Sequence, residues 1–417
     1  MIFFYIMCMK KKTMTSNLTI TLKFGGTSVL APNNIQQIVA TSIQKHHVVL
    51  VVSALAGVTN ALSNTADAND AFGALHQEWQ TRHGTSVNLG DLPMEPASGE
   101  KASARLIAAY LEQHGVRAKA VFADTDRVVH SVRGRVSFVD PTVIESCLKD
   151  GVVPVVTGFV SRDEASGTTV CLDRGGSDVS AVAIAARLHC NTTIFTDVDG
   201  IKDCDPRLVP HAQTIPLLSV AEAKEMAFAG ASILHPYTLS FATMPIEVRS
   251  TFDGWNGAGT TISPLRINVP SARDIQALAV LQDCCIVDIT GYETGKSGVA
   301  AKVFATLEHI NIHMIMQTCT ETMISLVIEE KDAHVLDQLT NYTVSTRKGA
   351  IVTVIGQKLQ HQVGVAARIF QTVASTGVNV ECISQGSSEL SLSLVVQPND
   401  VGPVVTALYA TFLAPSE

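Results

Sequence analysis

A lysine and two glycines directly follow the first strand-like run of the chain, in the segment Lys23-Phe24-Gly25-Gly26-Thr27-Ser28-Val29. Residues 18–22 before it are apolar or β-branched, which predicts a buried strand that ends in a tight turn. Glycine lets backbone N–H groups approach an anion closely, and a phosphate is the natural anion for such a turn. Lys23 would then stabilise a transferring phosphoryl group as a point charge. The motif is weak alone, because a strand followed by Gly-Gly is more often only a turn and the Walker spacing is missing.

A second pair of glycines, Gly175-Gly176, follows Arg174 and precedes Asp178 at the start of an Ala-rich helix. The N–H groups of such a turn and of the helix N-terminus suit an anion, and the guanidinium of Arg174 matches a carboxylate. Asp178 has a simpler interpretation as a helix cap, which is the more common role of a Ser-Asp pair at this place. The two glycine pairs together favour a site for an anionic substrate.

Polar residues also follow two more apolar runs and open one helix. The run 48–52 ends in a hydroxyl-rich turn at 53–60, where open α/β sheets bind ligands, although a plain loop explains it equally well. Glu100 lies in the first turn of a predicted helix, where it complements the helix dipole or holds a substrate ammonium. The run 192–195 is followed by carboxylates and an arginine, which suit a nucleotide, its metal and its phosphates or form solvated turns. The candidate residues of this segment are Thr196, Asp197, Asp205, Pro206 and Arg207.

The elements that must position these residues alternate between strands and helices. Continuous β-branched runs such as 48–52 and 152–156 belong to parallel sheets that helices cover on both faces. Beyond Gly259 the pattern changes, because two segments repeat a strand, a loop, a helix and a strand around a shared Gly-Val-Ala-Ala at 298–301 and 364–367. Small βαββαβ modules of this kind bind amino acids and carry no chemistry of their own.

Composition narrows the class of protein. A chain of 417 residues predicts two or three domains. No apolar run reaches the length of a membrane span, and a net charge of −8 without a basic stripe argues against a nucleic-acid partner. The nine cysteines form no C-x-x-C pair, which indicates reduced thiols and no zinc. We therefore expect a soluble cytoplasmic protein with no membrane partner. Residues 1–17 are expected to form a disordered extension, within which Met14 is an alternative start.

Taken in order, these motifs resemble those of the aspartokinases, members of the amino-acid kinase family with two C-terminal ACT domains. The motifs that carry the resemblance are Lys23 to Val29, Ser53 to Asn60, Ala97 to Glu100, Arg174 to Asp178, Thr196 to Ile201 with Asp205 to Arg207, and Gln385 to Glu389. The resemblance implies an α/β fold with an amino-acid-kinase-like three-layer sandwich and a mainly parallel central sheet over 18–265. Two ferredoxin-like βαββαβ ACT modules would follow at 280–345 and 346–417.

The resemblance also implies an activity and a role for each motif. The chain would use ATP and Mg²⁺ to phosphorylate the side-chain carboxylate of L-aspartate, the first step toward lysine, threonine and methionine. Lys23 and Asp178 would be catalytic, while Ser53, Thr59, Glu100 and Arg174 would bind aspartate. The nucleotide would be bound by Gly25, Gly26, Gly175, Gly176, Thr196, Asp197, Asp205, Pro206, Arg207 and Ser232. No residue is assigned as a metal ligand.

The repeat implies feedback regulation by an amino acid. We expect lysine, or alternatively threonine, to bind at Ser297, Gly298, Asn311 and His313. Threonine stays open because the acidic residue often found after Asn-Ile in relatives is here His313. Paired ACT modules generally bury their sheets against another copy, so a homodimer or a dimer of dimers is expected.

Three positions depart from the family pattern. Asp173 stands where most members have a glycine, and its carboxylate would repel phosphates unless it points away or helps to hold metal. Ser232 replaces a phosphate-contacting lysine that varies among members, and Ser161 replaces a glycine of the substrate loop. Two alternatives therefore remain at this stage: a kinase of the same family acting on glutamate, acetylglutamate or a nucleotide, and a catalytically weak amino-acid sensor.

Overall fold

The computed structural model describes residues 18–58, 68–92, 95, 97–231, 234–265, 274–290, 298–310, 312, 314–339, 342–359, 362–385 and 390–414. The expectations for residues 1–17, Thr59, Ser232, Ser297, Asn311 and His313 lie outside these residues. The chain divides into two compact units. The first comprises Met1–Gly200 and Tyr237–Pro264, and the second comprises Ile201–Pro236 and Leu265–Glu417.

The first unit alternates strands and helices, as its apolar runs predict. Its strands are β1 (Leu18–Phe24), β2 (His46–Val52), β3 (Ala118–Val121), β4 (Val129–Val132), β5 (Arg135–Val139), β6 (Val153–Thr157), β7 (Val160–Asp163), β8 (Thr169–Cys171), β9 (Asn191–Thr196), β11 (Ile246–Ser250) and β12 (Gly259–Ser263), with β10 in the second unit. Its helices are α1 (Gly26–Val29), α2 (Pro32–Ser42), α3 (Ala68–His83), α4 (Ser98–Gln113), α5 (Thr142–Lys149) and α6 (Gly176–Arg187).

The main sheet of this unit is mostly parallel. Its strands run in the order β12-β11-β9-β1-β2-β6-β3, and β12 is antiparallel to β11 while the other neighbours are parallel. Because β1 lies between β2 and β9, the residues that follow these three strands meet at one edge of the sheet. A smaller sheet has the order β5-β4-β7-β8.

Helices cover both faces of the main sheet, so the unit has three layers. Along β2, Val48, Leu50 and Val52 join one core, whose other members include residues of α2 and α4. The intervening Val49 and Val51 join a second core with residues of α5 and α6. This burial on both faces is why the strands read as continuous apolar runs rather than as alternating ones. The predicted three-layer sandwich with a mainly parallel sheet is confirmed.

The second unit contains one antiparallel sheet in the order β14-β15-β13-β16-β18-β17. The strands of the unit are β10 (Leu217–Ser219), β13 (Ala277–Thr290), β14 (Met314–Cys319), β15 (Met323–Glu329), β16 (Thr343–Ile355), β17 (Cys382–Gln385) and β18 (Ser391–Val396). Its α-helices are α7 (Val220–Phe228), α8 (Val299–His309), α9 (Val365–Ser375) and α10 (Val401–Phe412).

Two βαββαβ modules share this sheet, and both long strands belong to both modules. The first module uses the half of β13 from Cys284 to Thr290 and the half of β16 from Thr343 to Gly349, which pair with each other. The second uses residues 350–355 of β16, and its fourth strand is residues 277–281 of β13. A register shift between Leu281 and Cys284 separates the halves of β13. The predicted pair of ferredoxin-like modules is confirmed.

The segment 201–236 packs into the second module. Cys204, Val209 and Ala212 are buried in the same core as Leu278 and Tyr409. The backbone N–H of Leu278 also donates to the carbonyl of Asp203 at 2.8 Å. This segment is therefore part of the core of the second module. No helix among the described residues is long and apolar enough to cross a membrane.

Candidate active site

Lys23 lies near the end of the central strand β1, at the edge of the sheet where the predicted ligand residues gather. It pairs in register with Val51 of β2 and with Ile194 of β9. The next residues on these strands lead directly into Ser53 and Thr196. Because all three strands are parallel, their polar carboxyl ends open on the same side of the sheet. The structure thus brings together motifs that are far apart in sequence.

Lys23 and Asp178 form a close ion pair. The Nζ atom of Lys23 lies 2.6 Å from Oδ1 of Asp178, and the side chains are 10% and 19% exposed. The N-cap residue of helix α6 is Gly175, and Asp178 lies in the first turn of the helix. The carboxylate of Asp178 faces Lys23, which favours a role at the site over a purely structural one. A buried lysine held by one carboxylate is a charge that can be directed at a phosphoryl group.

The glycines at this edge are needed for close approach. A Cβ atom on Gly26 would lie 2.7 Å from the carbonyl oxygen of Ala54, and one on Gly176 would lie 2.8 Å from Phe159. Gly175 has a φ of 80°, the left-handed region that favours glycine. Glycine at these two positions therefore lets the backbone of each turn pack directly against Ala54 or Phe159.

Glu100 is a buried carboxylate in the first turn of α4, and it is only 3% exposed. Its Oε2 atom has no hydrogen-bond partner among the residues that the structure describes. Burial raises the pKa of Glu100 to about 7, although the N–H groups of Glu100 and Ala54 oppose the shift. Gly99 makes this contact possible, since a Cβ there would lie 2.8 Å from that of Ala54. An unpaired buried carboxylate suits a ligand that brings its own positive charge.

The two remaining described aspartate-binding candidates lie closer to solvent. Ser53 is partly buried, and its backbone N–H donates to the carbonyl of Phe24 at 3.1 Å. Arg174 is exposed, and no ion pair joins it to another residue in the described part of the chain. Its guanidinium is thus available for a carboxylate from outside the protein.

The predicted nucleotide residues divide between the two units. Thr196 is the last residue of β9 in the first unit and Asp197 follows it, and the hydroxyl of Thr196 donates to Asp197 at 3.0 Å. In the second unit Arg207 is bonded to Asp205, with Nη2 and Oδ2 2.6 Å apart. The hydrogen bond from Arg207 lowers the pKa of Asp205. Arg207 itself is largely exposed, at 89% of its side chain.

The structure accommodates two of the departures from the family pattern. Ser161 is fully buried in β7, and its hydroxyl donates to that of Ser131 at 2.8 Å, so the larger side chain fits. Asp173 is exposed and lies 3.8 Å from Nε of Arg135. Of the predicted effector residues, Gly298 is described, and it precedes α8 with a φ of 86°.

Sequence reasoning missed a buried charge cluster beside this site. The Nζ atom of Lys101 lies 2.8 Å from Glu95 and 2.8 Å from Asp124. Burial opposes the ammonium form, but the hydrogen bonds that the ammonium donates to both carboxylates outweigh it and raise the pKa of Lys101. The hydroxyl of Thr169 donates to Asp124 at 2.6 Å. The sequence signal was a lysine directly after Glu100, in a first half of the helix that otherwise holds mainly small residues.

Comparison with known families defines the class of protein. The model of the amino acid kinase family matches residues 19–249, which cover most of the first unit and residues 201–236 of the second. The ACT domain model matches residues 289–335 and 352–412. The fold and the site therefore define an amino acid kinase domain followed by two ACT modules.

Individual relatives narrow the class. The aspartokinase of Geobacillus stearothermophilus is 31% identical over 415 residues, covering 94% of this chain and 97% of that protein. Aspartokinase 2 of Bacillus subtilis strain 168 is 30% identical, with coverages of 94% and 97%. The structure of Escherichia coli aspartokinase III with aspartate and ADP superposes with a TM-score of 0.77 at 26% identity, covering 94% of this chain and 99% of that one. The chain belongs to the amino acid kinase family, among its aspartokinases.

Proposed function

We propose that this chain transfers the γ-phosphoryl group of ATP to the side-chain carboxylate of L-aspartate. Two observations support this most directly: the Lys23–Asp178 ion pair and the buried carboxylate of Glu100, which lie at one edge of the sheet because Ala54 approaches both Gly26 and Gly99. A cation for the moving phosphoryl group and an anion for the substrate ammonium are what this reaction requires. The aspartate and ADP bound in the Escherichia coli relative support the same choice of substrates.

The reaction needs little covalent chemistry from the protein. The acceptor carboxylate of aspartate is already ionised at neutral pH, so no general base has to remove a proton. Lys23 then neutralises the charge on the transferring group, and Asp178 fixes the direction of its ammonium. Glu100 and Arg174 hold the ammonium and a carboxylate of aspartate, which orients the acceptor oxygen toward the phosphate. Positioning and charge neutralisation therefore supply the rate.

Mg²⁺ would enter this site with the nucleotide. In kinases this ion is bound mainly by phosphate oxygens and by one or two carboxylates. Asp178 and the residues around Lys23 offer one carboxylate at this place, which is the number that such an ion needs from the protein. Asp178 is the carboxylate closest to Lys23 and would face such an ion, which would neutralise phosphate charge when bound.

A coupled assay tests the proposed activity against its alternatives. ATP is supplied with aspartate, glutamate or acetylglutamate in turn, and ADP release is measured. Turnover with aspartate but with neither of the other two acceptors supports the proposal, whereas turnover with another acceptor points to a different kinase of the family. Binding of amino acids without any turnover would mean that the chain is a sensor.

We infer that an amino-acid end product regulates this activity through the ACT modules, in an assembly of two or four copies. Lysine is the first candidate, because the Escherichia coli relative binds lysine and aspartate together. Threonine is the second. A coupling of about 1 to 3 kcal/mol between effector and active states would suffice. Full activity at millimolar lysine and threonine, alone and combined, would contradict the regulatory role.

A further inference from the structure

Asp173 and Arg174 are neighbours in the chain and carry opposite charges, which creates a problem for substrate binding. Both are exposed, and the proposed function requires Arg174 to pair with a carboxylate of aspartate. A carboxylate on the adjacent residue is an internal competitor whose effective concentration is on the order of millimolar or above. Something has to hold Asp173 away from Arg174.

The turn between β4 and β5 supplies a partner for Asp173. The Nε atom of Arg135 lies 3.8 Å from Oδ2 of Asp173. The backbone of Asp173 is fixed to the same turn, because its N–H donates to the carbonyl of Gly134 at 3.3 Å. The carboxylate of Asp173 therefore has a positive partner on the side of the turn.

Arg135 is itself held in place on a second side. Its guanidinium carbon lies 5.7 Å from the centre of the Tyr237 ring, within the range of a cation–π contact. The hydroxyl of Tyr237 donates to the carbonyl of Val136 at 3.4 Å, which ties the ring to β5. Arg135 thus has a preferred position although its side chain is 72% exposed.

We propose that Arg135 is a positioning residue for the amino-acid substrate: it binds the carboxylate of Asp173 and so leaves Arg174 free to bind the carboxylate of aspartate. This inference rests on the proposed function. It also explains how the chain tolerates an acidic residue where the family pattern has a glycine. Arg135 acts through Asp173 and does not touch the substrate.

The test is a double-mutant cycle on the full-length protein with the coupled assay. The variants are Arg135→Gln, Asp173→Asn and the double substitution, with Arg133→Gln as the matched control in the same turn. Arg135→Gln should raise the aspartate KM by about two- to fivefold, the range of an exposed ion pair. The kcat and the ATP KM should stay at their wild-type values. Asp173→Asn and the double variant should both have an aspartate KM at or below that of the wild type.

Salt dependence separates this role from a structural one. An exposed ion pair is screened by salt, so the ratio between the aspartate KM values of Arg135→Gln and wild type should approach one at about 0.5 M salt. A ratio that is unchanged by salt, or a double variant as impaired as Arg135→Gln alone, would overturn the proposal. So would an Arg135→Gln variant that matches the Arg133→Gln control.

Arg174→Gln distinguishes failure of this inference from failure of the proposed function. If Arg174→Gln leaves the aspartate KM unchanged, the assigned role of Arg174 is wrong and the competition does not matter. If Arg174→Gln raises the aspartate KM while Arg135→Gln does not, the proposed function stands and the role of Arg135 is refuted. Thermal unfolding of each variant confirms that it is folded before its kinetics are compared.

Discussion

Glu100→Gln should stabilise the ligand-free protein at high pH while it weakens aspartate binding. The pKa of Glu100 is about 7 against an ordinary value of 4.5, and each tenfold difference in proton affinity corresponds to about 1.4 kcal/mol. Ionising this buried carboxylate therefore costs the folded state about 3 kcal/mol. The folded pKa lies above the unfolded one, so the stability is fully present below about pH 4.5 and is lost as the pH rises through about 7.

Tryptophan fluorescence can follow this effect in the right part of the molecule. The chain has two tryptophans, and both Trp79 and Trp255 belong to the first unit, which also contains Glu100. Urea unfolding is measured at about pH 5 and at about pH 8. The free energy of unfolding of Glu100→Gln minus that of wild type should be about 2 to 3 kcal/mol larger at pH 8 than at pH 5. Comparing two pH values cancels any constant cost of the buried amide. Glu112→Gln, an exposed position on the same helix, is the control.

Aspartate kinetics complete the experiment. A neutral amide cannot balance the substrate ammonium, so Glu100→Gln should raise the aspartate KM by about ten- to a hundredfold, the value of a hydrogen bond between charged groups. In the wild type the same affinity should fall below about pH 7 as Glu100 becomes protonated. Equal pH dependence of unfolding in the variant and wild type would refute the assigned burial penalty. An unchanged aspartate KM would refute the ammonium contact.

Three further predictions concern Lys23, Ser232 and Lys101. Lys23→Ala should lower kcat by at least about a hundredfold with a much smaller change in the aspartate KM, and a kcat within about threefold of wild type would exclude the phosphoryl role. Ser232→Lys should lower the ATP KM by adding the phosphate-contacting charge that the resemblance to aspartokinases implies at this position, while an unchanged value would mean that no charge is needed there. Lys101→Met should cost about 3 to 5 kcal/mol of stability in the fluorescence assay, because it leaves the buried Asp124 unpaired. The exposed Lys149→Met is the control, and equal stability of the two variants would contradict this.

The sequence predicts the first unit well because its signals are local. The strands β1, β2, β6 and β9 are short apolar or β-branched runs, and the ligand loops after β1, β2 and β9 begin where these runs stop. The parallel order then follows from the alternation of strands and helices. What the local pattern could not decide was the role of Asp178, since a capping aspartate and a catalytic one occupy the same position of a helix. Its carboxylate lies 2.6 Å from Nζ of Lys23, a contact between a helix and a strand that are distant in sequence, and this contact supports the proposed catalytic role.

The contacts of Glu100 and Asp173 depend on residues that are distant in sequence. Glu100 is buried because Gly99 admits the loop at Ala54, and no pattern within α4 reveals that approach. Asp173 is compatible with the site because a hairpin nearly forty residues earlier places Arg135 beside it. From sequence alone, a charged residue such as Asp173 at a position where the family pattern has glycine is expected to impair the site. The contact with Arg135 that offsets this charge can be recognised only once the position of β5 is known.

The shared strands of the second unit show the same limit most clearly. The repeated Gly-Val-Ala-Ala correctly indicates two modules, and each module's own run predicts its first strand. The partner of a strand is set by the three-dimensional structure and not by order in the chain. The fourth strand of the second module is formed by residues 277–281, which precede the first module in the chain. Sequence repeats alone cannot reveal this, because the segment resembles an ordinary beginning of module one. The bulge between Leu281 and Cys284 separates the part of β13 that belongs to the second module from the part that belongs to the first. It shifts the register between the two parts, which pair with two different segments of β16.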